Sequence, residues 1–342
     1  IISDGVVSRS VRDTAAFLRE AERVYRNLAL PPIGDVTRPG RSRLRVAVLT
    51  RSLNTDSTPE VVAQTLETAA LVESLGHHVE EIPPPVPETF PDDFLLYWSV
   101  LSLYLLRTGR ITFGPTWDRT KVDNLSLGLA KHCAANLRHF PGATARLRRT
   151  ATDSAELYRS WDVVLTPTLA TPTPRLGHLD PTQTFETVME RLLAWVAFTP
   201  YQNASGDPAV SLPLGRDGQG LPMGMMFAAG AGREATLLEL AYELERNRSY
   251  AQLVPIAQAK AQHSRGFDPA TMPTILIGDT VRDVNAGLGG GARVIAVATG
   301  VDSLDVLKGS GADAVLPSMA DIDAFFEAFD LVRTLGPVGV RL

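Results

Sequence analysis

The sequence is poor in two residue types that often carry chemistry. Cys133 is the only cysteine among 342 residues, which excludes a disulfide framework and a cysteine-based zinc site and fits a reducing, cytoplasmic compartment. Only Lys121, Lys131, Lys260 and Lys308 are lysines, and arginine supplies the other basic residues. A mechanism that needs a lysine base therefore has few candidates. Long hydrophobic runs are scarce as well. The longest, "FLLYWSVLSLYLL" (94–106), falls short of the ~20 residues of a bilayer span and carries serines, so it reads as a buried helix. There is no excess of positive charge: the net charge of −5 disfavours nucleic acid and membrane surfaces as partners. The local basic patch "RLRRT" (146–150) reads as a solvated helix face. The chain opens "IISDG" without a methionine or a basic n-region, so it is expected to start mid-sequence and to carry no signal peptide.

What is present has ordinary globular proportions, 44% hydrophobic and 21% charged residues, and the length suggests two domains at roughly 150 residues each. Residues 8–26 read as a helix and "RLRVAVL" (43–49) as a buried strand. Thr58 and Pro59 start a helix whose inner face is Val62, Leu66, Ala69 and Val72, and Gly76 ends it. "HVEEI" (78–82) is the next strand, which completes a βαβ unit with a parallel pair. Helical patterns fill 91–108, 123–140 and 143–160. "WDVVLTPT" (161–168) is a strand, 184–198 a helix, and 208–214 with 224–229 an antiparallel hairpin around a glycine-rich turn. A helix with Leu237, Leu240, Ala241 and Leu244 on one face follows. Beyond a seam near 248–255 the pattern restarts: helix 255–264, strand 274–278, helix 281–288, strand 292–298, helix 302–309, strand 313–316 and helix 320–333.

"TPYQNASGDPAVSLPLGRDGQGLPMGMMFAAGAGREATLLELAYELE" (199–245) resembles the C-terminal signature region of the amidase signature family. Members carry Asn-x-(Thr/Ser)-Gly-x-Pro-Ala-x-Ser-x-Pro, then Gly-Leu-Pro-x-Gly, then a glycine–glutamate helix start. Here these are Asn203, Ser205, Gly206, Pro208, Ala209, Ser211 and Pro213, followed by Gly220, Leu221, Pro222, Gly224, Gly230 and Glu234. "VSRSVRDTAAFL" (7–18) likewise resembles the helix after the family's catalytic core. The resemblance covers about 1–250 and implies carboxamide hydrolysis with no cofactor. It also implies that Asn203, Gly206, Pro208, Ser211 and Gly224 support the substrate pocket. Read as plain structure, the glycines and prolines set turn geometry and Ser211 hydrogen-bonds the backbone. In the family a serine attacks, activated through a second serine by a lysine, because serine alone is too weak a nucleophile. A glycine-rich serine loop supplies oxyanion donors. Neither that loop nor a lysine occurs in residues 1–120, so no catalytic residue is assigned. The reading is that the catalytic set lies upstream of the matched region.

"FDPATMPTILIGDTVRDVNAGLGGGARVIAVATGVDSLDVLKGSGADAVLPSMADIDAF" (267–325) resembles the end of a haloacid-dehalogenase-like hydrolase. Gly278, Asp279 and Asp283 match the family's fourth motif, whose acidic pair helps hold Mg²⁺, a cation that prefers oxygen ligands. The resemblance therefore points to Asp279 and Asp283 as metal ligands. The family's Asp-x-Asp strand is missing upstream, so Mg²⁺ binding is expected to be weak. Lys260, in "AQAKAQHSRG", is not assigned the family's lysine role, and "GLGGGARV" reads as a helix stop.

Three histidine-containing pairs have plain readings. His77–His78 sits where a cation meets a helix C-terminus. His132–Cys133 are helix neighbours that point apart. His178–Asp180, after a proline-rich loop, would border the pocket.

The sequence thus implies an α/β fold in two segments. Residues 1–250 form a partial amidase-signature mixed sheet covered by helices. Residues 251–342 form a partial Rossmann-like parallel α/β unit. The expected function is an amidase-family segment without its serine–serine–lysine set, joined to a phosphatase-like tail and inactive as this chain alone. The ligand would be a small amide. The alternatives are a non-catalytic scaffold completing a separate N-terminal fragment, or a weak Mg²⁺-dependent phosphatase.

Overall fold

Ser10 opens the first helix by accepting the Asp13 N–H, and α1 (Val11–Val24) follows with Val11 and Ala15 buried. The β-branched run after it forms β1 (Arg45–Val48). Helix α2 (Pro59–Ser74) crosses over, and β2 (His78–Glu81) lies parallel to β1. Helices α3 (Phe90–Phe113), α4 (Asn124–Asn136) and α5 (Phe140–Ser160) precede β3 (Val163–Pro167). Then come α6 (Phe185–Trp195), the short α7 (Pro200–Ser205), the hairpin β4 (Ala209–Arg216) and β5 (Pro222–Ala228), and α8 (Glu234–Asn247). The structure is a computed structural model that describes residues 5–8, 10–53, 55–248, 275–289, 292–298, 302–318 and 321–335. The chain divides into two compact units, Ile1–Val254 and Pro255–Leu342. Among the described residues no helix is long and apolar enough to cross a membrane.

The first unit is built on a mixed sheet in the order β2-β1-β3-β5-β4. β1 is parallel to both β2 and β3, whereas β5 runs antiparallel to β3 and β4. Alternation along the central strands splits their side chains between two faces. Val46, Val48, Val163 and Leu165 join the main core with Phe227, Met225 and the inner face of α8. Ala47, Leu49 and Val164 face the other way, toward Leu157, Tyr158 and Trp161.

Four expectations need correction here. The inner face of α2 is Val61, Thr65, Thr68, Ala69 and Val72, and Leu66 is exposed. The buried threonines are satisfied within the helix, Thr65 donating to the Val61 carbonyl and Thr68 to that of Gln64, so hydroxyls occupy sites assigned to aliphatic side chains. Thr58 precedes α2 with Pro59 in its first turn, but its side chain makes no cap. Helix α3 is not buried all round. Phe90, Leu96 and Leu106 point inward, while Leu101, Tyr104, Ile111 and Phe113 are exposed. His77 is no solvated cation at a helix end. It is buried, its Nδ1 accepts the Leu44 N–H at 3.0 Å, and its Nε2 meets Glu243 Oε2 at 3.1 Å. An Nδ1 used as an acceptor places the proton on Nε2, which then donates to the carboxylate.

In "RLRRT" only part of the patch is solvated. Arg146 reaches down with two nitrogens to the buried Asp93 carboxylate, at 2.7 and 2.6 Å. A bidentate guanidinium is the natural partner for a carboxylate taken out of water.

Among the described residues the second unit has three parallel strands, β6 (Ile275–Gly278), β7 (Arg293–Val297) and β8 (Ala314–Leu316), in that spatial order. Between and after them lie α9 (Val281–Gly289), α10 (Leu304–Lys308) and α11 (Ile322–Thr334). Val294 and Ala296 pack with Val284 and Leu307 on one face, and Ile295 and Val297 with Leu316 and Val332 on the other. The expected helix 255–264, Lys260, Gly290 and Gly291 lie outside the described residues.

Replacing Phe227, which is fully buried, by alanine is expected to lower the unfolding free energy by about 3–5 kcal/mol. Ile111→Ala, on the exposed face of α3, is expected to change it by no more than about 0.5 kcal/mol. Denaturant titration of the two variants checks both values, and a large loss for Ile111→Ala would contradict the exposed face.

Candidate functional site

β1, β2 and β3 are parallel, and the chain passes from β2 back across β1 to reach β3. In open α/β sheets, such a reversal of strand order leaves a crevice beyond the carboxyl ends of the strands, the usual place for a ligand. A cavity of about 520 Å³ lies there, within the size range of small-molecule sites. Its floor comes from Leu49 after β1, Pro84–Val86 after β2, and Val164 and Thr166 of β3. The first turns of α3 supply Phe90, Phe94 and Trp98 at four-residue spacing, which sets them on one helix face. Phe198, between α6 and α7, and Tyr201, Gln202 and Asn203 of α7 close the remaining side. Phe90 stacks on Phe94 and tilts against Tyr201, with ring centroids 5.8 and 5.9 Å apart.

The wall is apolar with a few polar groups set into it. Thr166 is buried and its hydroxyl has no partner; the Gln202 side-chain oxygen is also buried without one. Behind the wall the buried Ser154 hydroxyl donates a hydrogen bond to Asp207. Burial, with Asp207 nearby, pushes the Tyr158 phenol far above its ordinary value. Tyr201 is also raised, chiefly by burial, although the Ser154 hydroxyl pulls it partly back. A phenol is protonated at neutral pH even at its ordinary value, so both can offer an O–H to a ligand.

The residues expected to support the pocket are placed as follows. Asn203 lines the cavity. Gly206 caps α7 in the left-handed region at φ +81°, its N–H bonded to the Gln202 carbonyl, which turns the chain out of the cavity wall. The Pro208 carbonyl accepts the Ala229 N–H and anchors the start of the hairpin. Ser211 bonds a side chain rather than the backbone, its hydroxyl lying 2.7 Å from that of Thr168. Gly224 faces that pair, and a Cβ there would come within 2.6 Å of Ser211 Oγ and 2.7 Å of Thr168 Oγ1. Ser211 and Gly224 do not line the main cavity; Gly224 borders a smaller one of about 50 Å³.

His178 and Asp180 do not line the cavity, contrary to expectation. Asp180 instead accepts the backbone N–H and hydroxyl of Thr182, which hold its carboxyl below the usual range. Cys133 is fully buried and desolvation pushes its thiol up. Lys121, Lys131 and Lys308 are exposed and none lines the cavity. Tyr158 and Thr166 were missed from sequence. Thr166 is a polar residue inside the apolar strand β3, which is the one signal that marks it; Tyr158, between Leu157 and Arg159 in a largely polar helix, has none.

In the second unit, Asp283 accepts the Thr280 hydroxyl at 2.7 Å and its N–H at 3.2 Å, while its own N–H reaches the Thr280 hydroxyl. This reciprocal pair starts α9. Asp302 accepts the Val281 N–H at the same helix end. Among the described residues no group of three or more His, Cys, Asp or Glu side chains is placed to hold a metal ion.

Two family models match the chain. One, described as Amidase, covers residues 1–238; the other, described as HAD-hydrolase-like, covers 252–322. "Putative amidase AmiC" of Mycobacterium leprae is 55% identical over 254 residues, which is 74% of this chain and 54% of that protein. The 6-aminohexanoate-cyclic-dimer hydrolase of Paenarthrobacter ureafaciens is 29% identical, with 71% of this chain and 53% of that protein covered. A solved structure of a 6-aminohexanoate cyclic dimer hydrolase superposes with a TM-score of 0.58 at 28% identity, covering 72% of this chain and 56% of that one. The chain spans about half the length of the curated relatives it matches.

Stability is expected to decline as pH rises through 10.0, the ordinary tyrosine value. A raised folded value means the native state keeps a proton that the unfolded chain releases. Tyr158→Phe is expected to flatten that decline, as read from denaturant midpoints between pH 9 and pH 11. An unchanged slope would contradict the buried environment of this phenol.

Proposed function

The chain belongs to the amidase family, and from that premise we propose that its first unit builds the substrate wall of an amide hydrolase without the groups that perform the attack. The single observation that carries this reading is the apolar cavity at the strand-order reversal, with protonated phenols and an unpartnered Thr166 hydroxyl in or beside its wall. Such a wall suits a small carboxamide with an apolar body, since the hydrocarbon fills the floor while the amide finds O–H groups. Attack on the amide carbon needs a serine activated by a base within hydrogen-bond reach. In the family resemblance that base is a lysine acting through a second serine. The described lysines are all exposed and away from the cavity. The proposed chemistry therefore requires a serine–serine–lysine set from a complementing N-terminal fragment, and this chain alone is inactive.

For the second unit we propose weak Mg²⁺ binding through Asp279 and Asp283. Carboxylates suit this cation, but Asp283 is already engaged in starting α9.

Assay of the purified chain on simple aryl and aliphatic amides is expected to give no turnover. Co-expression with an upstream fragment of the family carrying the serine–lysine set is expected to restore it. Titration with the neutral amide 4-phenylbutyramide is expected to quench tryptophan fluorescence in the chain alone, and Trp98→Phe to remove that change. Turnover by the chain alone that a serine-directed reagent abolishes would overturn the proposal, as would the absence of any Trp98-dependent binding.

A further inference from the structure

The cavity is strongly asymmetric in charge. Among the described residues Arg51 is the only charged side chain that lines it, and no carboxylate does. Arg51 is exposed, so it stands at the mouth, while Leu49, two residues earlier, is buried in the floor. An antiparallel backbone bridge joins Arg51 to Asp56, and Ser52 and Thr55 hydrogen-bond across it. Despite that bridge the Arg51 guanidinium makes no ion pair with Asp56 or with any other described residue. A guanidinium is a planar fork matched to a carboxylate, and here the fork is unused. Among the described residues no carboxylate of the lining offsets Arg51, so a ligand's anionic group is drawn toward the mouth.

We propose that the cavity selects ligands with an apolar body and a carboxylate at the solvent-facing end, held by Arg51, over neutral or cationic ligands of the same shape. This rests on the reading of the cavity as the substrate wall of an amide hydrolase and specifies the ligand class within it. The carboxylate has two sources: an acid released by hydrolysis that rebinds with its carboxylate turned to the mouth, or a carboxylated substrate whose intact amide faces the Thr166 side. Cationic ligands are disfavoured because the lining offers them a guanidinium and no counter-charge.

The test is a set of matched titrations of the purified chain, read by calorimetry and by Trp98 fluorescence. The probes are 4-phenylbutyramide, 4-phenylbutyrate, N-(4-phenylbutyryl)glycine and 4-phenylbutylamine. At low salt at least one carboxylate is expected to bind about threefold to tenfold more tightly than the neutral amide, the range for a partly exposed charge-assisted pair. The amine is expected to be the weakest. Arg51→Gln should erase the carboxylate preference and leave the neutral amide unchanged; added salt should reduce the preference in the parent chain. A gain for phenylbutyrate assigns the site to the released acid, and a gain only for the glycine conjugate assigns it to a carboxylated substrate. Either supports the proposal. Neutral binding with no carboxylate preference, or a preference that survives Arg51→Gln, overturns it while leaving the cavity reading intact. Failure of 4-phenylbutyramide itself to bind overturns that reading instead.

Discussion

Everything in the first unit depends on β3 sitting between a parallel and an antiparallel neighbour. All five of its residues are buried. Its hydrogen bonds run to β1 on one side and to β5 on the other, and its side chains serve both faces of the sheet. Val163 and Leu165 hold the main core together with Phe227 and α8. Val164 and Thr166 form part of the cavity floor. A one-residue slip in register would exchange these sets, pushing Thr166 into the aliphatic core and Leu165 into the cavity. The same strand thus ties the stability of the unit to the shape of its candidate site.

The cavity follows from that topology rather than from any one motif. The reversal of strand order opens a crevice at the carboxyl ends, and loops that must leave the strands there become its rim. Aromatic side chains from α3, together with Phe198 and with Tyr201 of α7, then fill the sides. Polar groups are few, which raises the consequence of each. In a low-dielectric wall an unpartnered hydroxyl costs more, and a hydrogen bond to a ligand returns more, than either would in water. Behind the wall the Ser154 hydroxyl joins α5 to Asp207, two residues before β4 begins.

Much of the secondary structure was legible because punctuation residues stood where the chain turns. Pro59 starts α2, Gly76 at φ +92° follows its end, and Gly220 at φ +79° shapes the β4–β5 turn. The face of α2 was not legible, since Thr65 and Thr68 look polar and only the back-bonded geometry makes them fit for burial. Nor was the exposed side of α3, because a run that is apolar at nearly every position has no period to read. His77 was misjudged because its partners, Leu44 and Glu243, are 33 and 166 residues away. Asn203 was visible through its motif. Arg51, Tyr158 and Thr166 were not, because the cavity joins five stretches of chain that no local pattern links.

The most direct test of the central claim, that the crevice beyond β1 and β3 is where an amide ligand sits, is a crystal structure of the chain soaked with an aryl amide. Density for the ring is expected between Trp98, Leu49 and Val164, with the amide facing the Thr166 and Tyr158 side of the wall. Density confined to the Thr168–Ser211 surface, or to the second unit, with this crevice filled only by water, would contradict it.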